Sequence, residues 1–314
     1  MAATSVDVAR RAGLSRATVS QVLNGYTHRF AAETTERVLR AAKELGYEPS
    51  AVGRMLRTGS SDFVVALIPN TTFGGNLQDI FDTVTELLAE KGLSLVLHLS
   101  TKSPNSLDRI LGGILPRAVL SLQPFTPEEL RILEERKVPG FDTTVDGDAN
   151  YDIGLLQAEH LIKRGYRRLA FAHLQDRRSD PYGTGREKAV VDACAAAGLP
   201  APDVFGLAID AVSADAALAA LEPNTGIVCY NDDVAIALMT ASTRRHWVVP
   251  TDVGIIGMDD TPLARVMNPR LTTVGYNTAA AANMTLKAAL AAIGEGDLFP
   301  AVDLGLHIVE GNSC

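Results

Sequence analysis

The sequence predicts a small all-helical head and a short amphipathic linker, followed by an α/β core of two doubly wound parallel sheets. Three observations carry this. Residues 4–25 read as two short helices joined by a tight turn. From residue 63, apolar strand-length runs alternate with helix-length segments, and the alternation resumes after residue 150. Charge is also divided. The 314-residue chain carries a net −8, yet residues 1–58 hold nine Lys/Arg against five Asp/Glu and the rest hold 20 against 32. A basic head on an acidic body has the asymmetry of a nucleic-acid-binding module joined to something else.

Val6, Val8, Ala9 and Ala12 give the first helix an apolar face. Thr4 can cap it, with Asp7 completing a capping box. Gly13 supplies the left-handed residue that ends a helix. Ser15 caps the second helix, whose Val19, Val22 and Leu23 turn inward. Arg16, Ala17, Ser20 and Gln21 are left on its outward face, the arrangement that a DNA major groove accepts. A third helix covers 32–45, with Val38, Leu39, Ala42 and Leu45 at helical spacing, and Ala31 stands where a Ser cap would help it. Pro49 breaks the chain. Val52, Met55 and Leu56 space a short amphipathic segment before a linker at 58–62.

Strands are expected at 63–69, 93–99, 118–122 and 138–141, with helices at 77–91, 107–111 and 127–137 between them. A second series places helices at 153–164, 186–197, 213–221 and 232–244. Its strands fall at 169–173, 204–207, 227–230 and 253–258, with a last strand at 303–310. Strands apolar throughout and alternating with helices imply parallel sheets covered on both faces. Ligands bind at the carboxyl ends of such strands, and two facing sheets would form a cleft.

Composition excludes several classes. Cys194, Cys229 and Cys314 form no CxxC and the six His form no HxxxH, so neither a zinc site nor a disulfide framework is expected, and no metal or cofactor. No apolar run is long enough to span a membrane, and no signal peptide precedes the first helix, so a cytoplasmic protein is expected. No GxGxxG or GxxxxGK[ST] opens a βαβ unit, which disfavours an enzyme on this core. A small-molecule receptor is disfavoured by the basic head.

Specific motifs then add a family. Asp7-Val-Ala-Arg-Arg-Ala-Gly-Leu-Ser15, Thr18-Val-Ser-Gln-Val-Leu-Asn24, Thr34-Thr-Glu-Arg-Val38 and Glu44-Leu-Gly-Tyr-Glu-Pro49 lie in the head. His160-Leu-Ile-Lys-Arg-Gly-Tyr-Arg-Arg-Leu-Ala170, Tyr230-Asn-Asp-Asp233, Val253-Gly-Ile-Ile-Gly-Met-Asp-Asp260 and Pro269-Arg-Leu-Thr-Thr273 lie in the core. With these the chain resembles LacI/GalR-family transcriptional regulators over nearly its full length. The resemblance implies a helix-turn-helix head at 1–48, a hinge helix and linker at 49–61, and a periplasmic-binding-protein-like core at 62–314. Subdomain 1 would span about 62–150 and 276–297, and subdomain 2 about 151–275 and 298–314.

The resemblance also implies a repressor that binds a pseudo-palindromic double-stranded operator as a homodimer. In this reading Arg16, Ala17 and Gln21 face bases, and Thr4, Ser15, Thr18, Ser20, Asn24 and Arg29 serve the backbone. Val52, Gly53 and Leu56 belong to the hinge, with Leu56 as a minor-groove wedge. Relatives commonly carry Arg where Gln21 stands, which suits adenine in place of guanine. A small-molecule effector, a sugar or related metabolite, is expected in the cleft. Phe73, Asn76, Asp142, Tyr182, Arg186, Asn231, Asp232 and Asp259 are its expected contacts. The family's Arg-x-x-Gly-aromatic pattern is degraded here to Arg186-Glu-Lys-Ala-Val190, and segment 205–214 lacks the aromatic that many members place over the ligand. No leucine heptad follows the last strand, so a dimer is expected over a tetramer.

Overall fold

The computed structural model describes residues 3–23, 25–47, 59–68, 74–99, 105–142, 149–175, 182–295 and 303–314. Asn24, Phe73 and the hinge residues Val52, Gly53 and Leu56 lie outside the described residues. The chain divides into two units, Met1–Asp62 and Phe63–Cys314.

The first unit packs α1 (Ser5–Ala12), α2 (Arg16–Leu23) and α3 (Ala32–Glu44) around Val8, Ala9, Ala12, Val19, Val22, Val38, Ala41 and Ala42. Thr4 and Asp7 form the capping box, each side chain accepting the other's backbone N–H. Gly13, at φ +62°, ends α1 by sending its N–H back to the carbonyls of Ala9 and Arg10. Ser15 Oγ accepts the Thr18 N–H at 3.0 Å and starts α2. Two expected core residues are corrected. Val6 is 47% exposed and Leu39 50% exposed. At about 100° per residue, Val6 falls opposite Val8, and Leu39 lies beyond the edge of the stripe formed by Val38, Ala41 and Ala42. Ala31 caps α3 without a side-chain hydrogen bond.

The second unit begins with β1 (Phe63–Ile68), α4 (Gly75–Glu90), β2 (Ser94–Leu99), α5 (Asn105–Ile114), β3 (Ala118–Ser121), α6 (Pro127–Arg136) and β4 (Gly140–Asp142). Its strands form a parallel sheet in the order β2-β1-β3-β4. Alternate residues of β1 supply both faces. Val64, Ala66 and Ile68 join one core with α4, while Val65 and Leu67 join the other with α5 and α6.

A second series follows with α7 (Ala149–Lys163), β5 (Arg168–Leu174), α8 (Gly183–Ala196), β6 (Asp203–Leu207), α9 (Ala211–Ala219) and β7 (Thr225–Cys229). It continues through α10 (Asp232–Arg244), β8 (Val253–Met258), α11 (Pro262–Val266) and β9 (Thr272–Gly275). After α12 (Thr278–Ala292) the chain ends with β10 (His307–Val309). The sheet runs β6-β5-β7-β8-β9-β10, parallel except for β10 on β9. Alternation again feeds two faces, Ala170 and Ala172 inward to one core, Leu169 and Phe171 to the other.

The chain passes between the halves more than once. Ala281, Ala282, Leu286 and Ala289 of α12 pack into the first sheet's core beside Ile80 and Phe81, whereas β10 returns to the second sheet. Each sheet has a point where strand order reverses, between β1 and β3 and between β5 and β7. Loops diverge there and leave a crevice beyond the carboxyl ends of the strands.

Candidate nucleic-acid interface and ligand cleft

On the head, α2 presents Arg16, Ala17 and Gln21 to solvent, with Ser15 exposed beside them and Thr18 and Ser20 half-buried. Arg16 Nε donates to Ser5 Oγ at 3.3 Å, which ties the base of the guanidinium to α1. Ser15 and Thr18 hydroxyls lie 2.9 Å apart at the start of α2, where backbone N–H groups and the helix dipole favour a phosphate. Arg29 is exposed, with its guanidinium 4.9 Å from the Tyr26 ring centroid. The Thr4 hydroxyl is engaged by Asp7 at 2.6 Å within the capping box. Three side chains on the outward face of a short helix, braced by α1, suit direct readout in a major groove.

In the core, the carboxyl ends of both sheets converge on a cavity of about 200 Å³. It is smaller than most small-molecule sites, which run roughly 300–1,000 Å³. Asn76, Tyr182, Arg186, Asn231 and Asp259 all line it. Asn76 follows β1, Tyr182 follows β5, Asn231 follows β7 and Asp259 follows β8, so the two switch points bring them together. Arg186, buried on α8, donates through Nε to Asn150 Oδ1 at 3.2 Å and through Nη1 to the Tyr230 carbonyl. The rings of Tyr230 and Tyr182 flank its guanidinium at 5.1 and 5.8 Å. Asn231 Oδ1 caps α10 by accepting the Val234 N–H at 3.0 Å.

Asp259 has φ +116° and Asp260 φ +49°, a backbone region that side chains other than Gly rarely occupy. The surroundings fix this strained turn. The Asp259 N–H reaches the Val274 carbonyl at 3.0 Å, and its own carbonyl accepts from Asn76 Nδ2 at 2.6 Å. Arg265 grips the Asp260 carboxylate through Nε and Nη2 at 3.0 and 2.7 Å. Burial pushes the Asp259 carboxyl up to about 7, against the opposing pull of Arg186. Tyr182 is pushed up to about 12 by burial, and its hydroxyl donates across the cleft to the Leu122 carbonyl at 3.2 Å.

Two expected contacts lie off the cavity. Neither Asp142 nor Asp232 is among the cavity's described lining. Asp142 turns its carboxylate to the Phe125 N–H at 3.0 Å and so braces the loop after β3. Asp232 is fully buried behind the cleft, accepting from Thr273 Oγ1 at 2.6 Å and the Thr261 N–H at 2.7 Å. Burial raises its carboxyl to about 6. Both sit at strand or helix ends with unpaired backbone donors nearby, and those donors capture them.

Several positioning residues carry little sequence signal. Gln157 of α7 donates to the carbonyls of Cys229 and Gly257 at 3.1 and 2.8 Å, tying the ends of β7 and β8. A Cβ on Gly154 would lie 2.3 Å from the Arg186 carbonyl oxygen, so this Gly lets α7 reach the backbone that carries the cleft arginine. Tyr276 follows β9, lines the cavity and packs against cores of both halves.

A helix-turn-helix head joined to a two-sheet core with an interdomain-type cleft defines a DNA-binding regulator of transcription. Comparison with known proteins agrees. Residues 5–50 match the model of bacterial regulatory proteins of the lacI family, and residues 158–314 match a periplasmic binding protein-like domain. The transcriptional repressor PurR of Haemophilus influenzae (strain PittEE) is 30% identical over 291 residues, covering 87% of this chain and 85% of PurR. A lac repressor dimer bound to operator and the anti-inducer ONPF superposes with a TM-score of 0.78 at 19% identity, covering 100% of this chain and 99% of that one. The regulator CelR in complex with cellobiose gives 0.67 at 24% identity, covering 99% and 100%. The chain belongs to the lacI family of bacterial regulatory proteins and is a DNA-binding transcriptional repressor, not an enzyme. No helix among the described residues is long and apolar enough to cross a membrane.

Proposed function

We propose that the chain acts in the cytoplasm as a homodimer on a pseudo-palindromic operator, and that a small molecule in the core cleft sets its affinity for that operator. The observation that carries the reading is the exposed trio on α2. Arg16, Ala17 and Gln21 contact bases, while Ser15, Thr18, Ser20 and Arg29 position the head on phosphates. Thr4 serves through its cap on α1. Val52, Gly53 and Leu56 form the hinge, with the head at 1–48, the hinge and linker at 49–61 and the core at 62–314.

Support for the second copy comes from exposed apolar side chains. Leu97 and Leu99 on edge strand β2 are 46% and 64% exposed, and Leu263 and Val266 on α11 are 53% and 75% exposed. An unpaired edge strand bearing leucines is a surface to be covered.

The effector acts through Arg186, Asp259, Asn231, Asn76 and Tyr182. Its differential affinity for two arrangements of the core halves, often about 1–3 kcal/mol, becomes the change in DNA affinity. The test is selection of binding sites from a random duplex library with the full chain. A palindromic consensus, bound with a steep salt dependence, supports the reading. Binding without sequence preference contradicts it.

A further inference from the structure

Among the described residues, the charged groups of the cleft lie on one wall only. Among the described residues, the wall from the first sheet and its helices is hydrocarbon, with Leu77 and Ile80 on α4, Leu122 after β3 and Met284 on α12. Its polar members are bonded within the protein, Asn76 to the Asp259 carbonyl and Thr285 Oγ1 to the Ala281 carbonyl at 2.9 Å. The opposite wall carries the polar groups, set beside Ile153, Met258 and Leu306, and much of its polar part is also engaged. Asn231 Oδ1 and Thr261 Oγ1 cap helices, and Asn150 Oδ1 holds Arg186. Arg186 and Asp259 keep capacity. A guanidinium has five N–H donors and a carboxylate about four acceptor sites. Asn150 and Tyr230 take two of the Arg186 donors.

We propose that the cleft takes a compact, uncharged molecule with an apolar or aromatic body and a single polar edge, an acceptor beside a donor, as in a carboxamide or lactam. The acceptor faces Arg186 and the donor faces Asp259. The body lies on Leu77, Ile80, Leu122 and Met284. This rests on the reading of the cleft as the effector site, and it replaces the sugar expected from the family. A polyhydroxylated sugar would press hydroxyls against the hydrocarbon wall, and each buried hydroxyl left unpaired weakens binding on the order of tenfold. A multiply charged anion gains from Arg186 but meets the Asp259 carboxylate. The small volume also favours one ring over an extended chain.

The test uses the full chain, with thermal unfolding and calorimetric titration against benzamide, ε-caprolactam, glucose, cellobiose and inorganic phosphate. Benzamide or ε-caprolactam is expected to raise the unfolding midpoint saturably, whereas glucose, cellobiose and phosphate leave it unchanged. Asp259→Asn and Arg186→Lys are expected to weaken the amide at least about tenfold. Met284→Gln, outside the charged pair, is expected to weaken it too. Saturable binding of glucose, cellobiose or phosphate that Asp259→Asn abolishes overturns the proposal, as does the absence of saturable amide or lactam binding. Sugar or phosphate binding that shifts operator affinity removes the ligand class but keeps the effector cleft. Amide binding with no effect on operator affinity keeps the class and removes the effector role.

Discussion

Asn76 and Asp259 come from opposite halves of the core, and the Asn76 side-chain amide donates to the Asp259 carbonyl at 2.6 Å. One amide thus joins the first half to a strained turn of the second. Asn76→Ala is expected to release the halves, at a cost of about 1 kcal/mol. Small-angle scattering should show a larger radius of gyration, and amide exchange should quicken at 259–261 but not within 5–44. An unchanged radius with unchanged exchange contradicts this role.

Gly154 sets how near α7 comes to α8. A Cβ there meets the Arg186 carbonyl oxygen at 2.3 Å and its Cα at 2.7 Å, backbone atoms that cannot rotate away. Gly154→Ala is therefore expected to destabilise the core by roughly 1–3 kcal/mol and to displace Arg186. Gly113, in α5, has nothing within 4 Å of the same probe position. Gly113→Ala should instead gain about 0.5–1 kcal/mol. Chemical denaturation of both variants separates steric overlap from general intolerance to a methyl group.

Burial holds the Asp259 carboxyl at about 7 and that of Asp232 at about 6, while an unfolded Asp titrates near 3.8. Between these values the folded chain keeps protons that the unfolded chain has released. Their contribution to stability is complete below about pH 4 and is lost as pH rises through about 6–7. Asp259→Asn removes one titrating group. Its unfolding midpoint relative to the unmutated chain is expected to improve from pH 5 to pH 8. A constant offset across that range counts against the assignment.

Gln21 is exposed on α2 where it can pair with adenine N6 and N7. Gln21→Arg is expected to move one symmetric position of the selected half-site from adenine to guanine, with discrimination of about 1–3 kcal/mol. Binding-site selection with both proteins reads this directly. An identical consensus from the two would place Gln21 off the bases.

Leu99 is 64% exposed at the end of edge strand β2. Leu99→Asp is expected to shift the protein from dimer to monomer in sedimentation while leaving its helix content intact. A monomeric unmutated chain would remove the proposed interface.

The sequence reveals much of this architecture because the strongest signals are local. The capping box of Thr4 and Asp7, the left-handed Gly13 and the apolar run of β1 all act within a few residues. The α12 helix has little sequence signal because its Ala-rich run gives a weak apolar stripe, although the Asn277 cap precedes it. In the cleft, Arg186 and Asp259 are legible from motifs, whereas Asp142 and Asp232 resemble them in sequence and differ only in which backbone donors lie nearby. Gly154, Gln157 and Tyr276 owe their roles to chain segments far away in sequence, so no local pattern marks them.

The central claim is that the cleft and the DNA-reading head are two ends of one switch. The most direct measurement is operator affinity, by fluorescence anisotropy on a selected duplex, for the double variant Asn76→Ala, Tyr182→Phe. Both changes remove cross-cleft hydrogen bonds and leave the head untouched. The account predicts a change in operator affinity of about fivefold or more at fixed salt. An affinity equal to that of the unmutated chain, with the cleft shown to have opened, would contradict it.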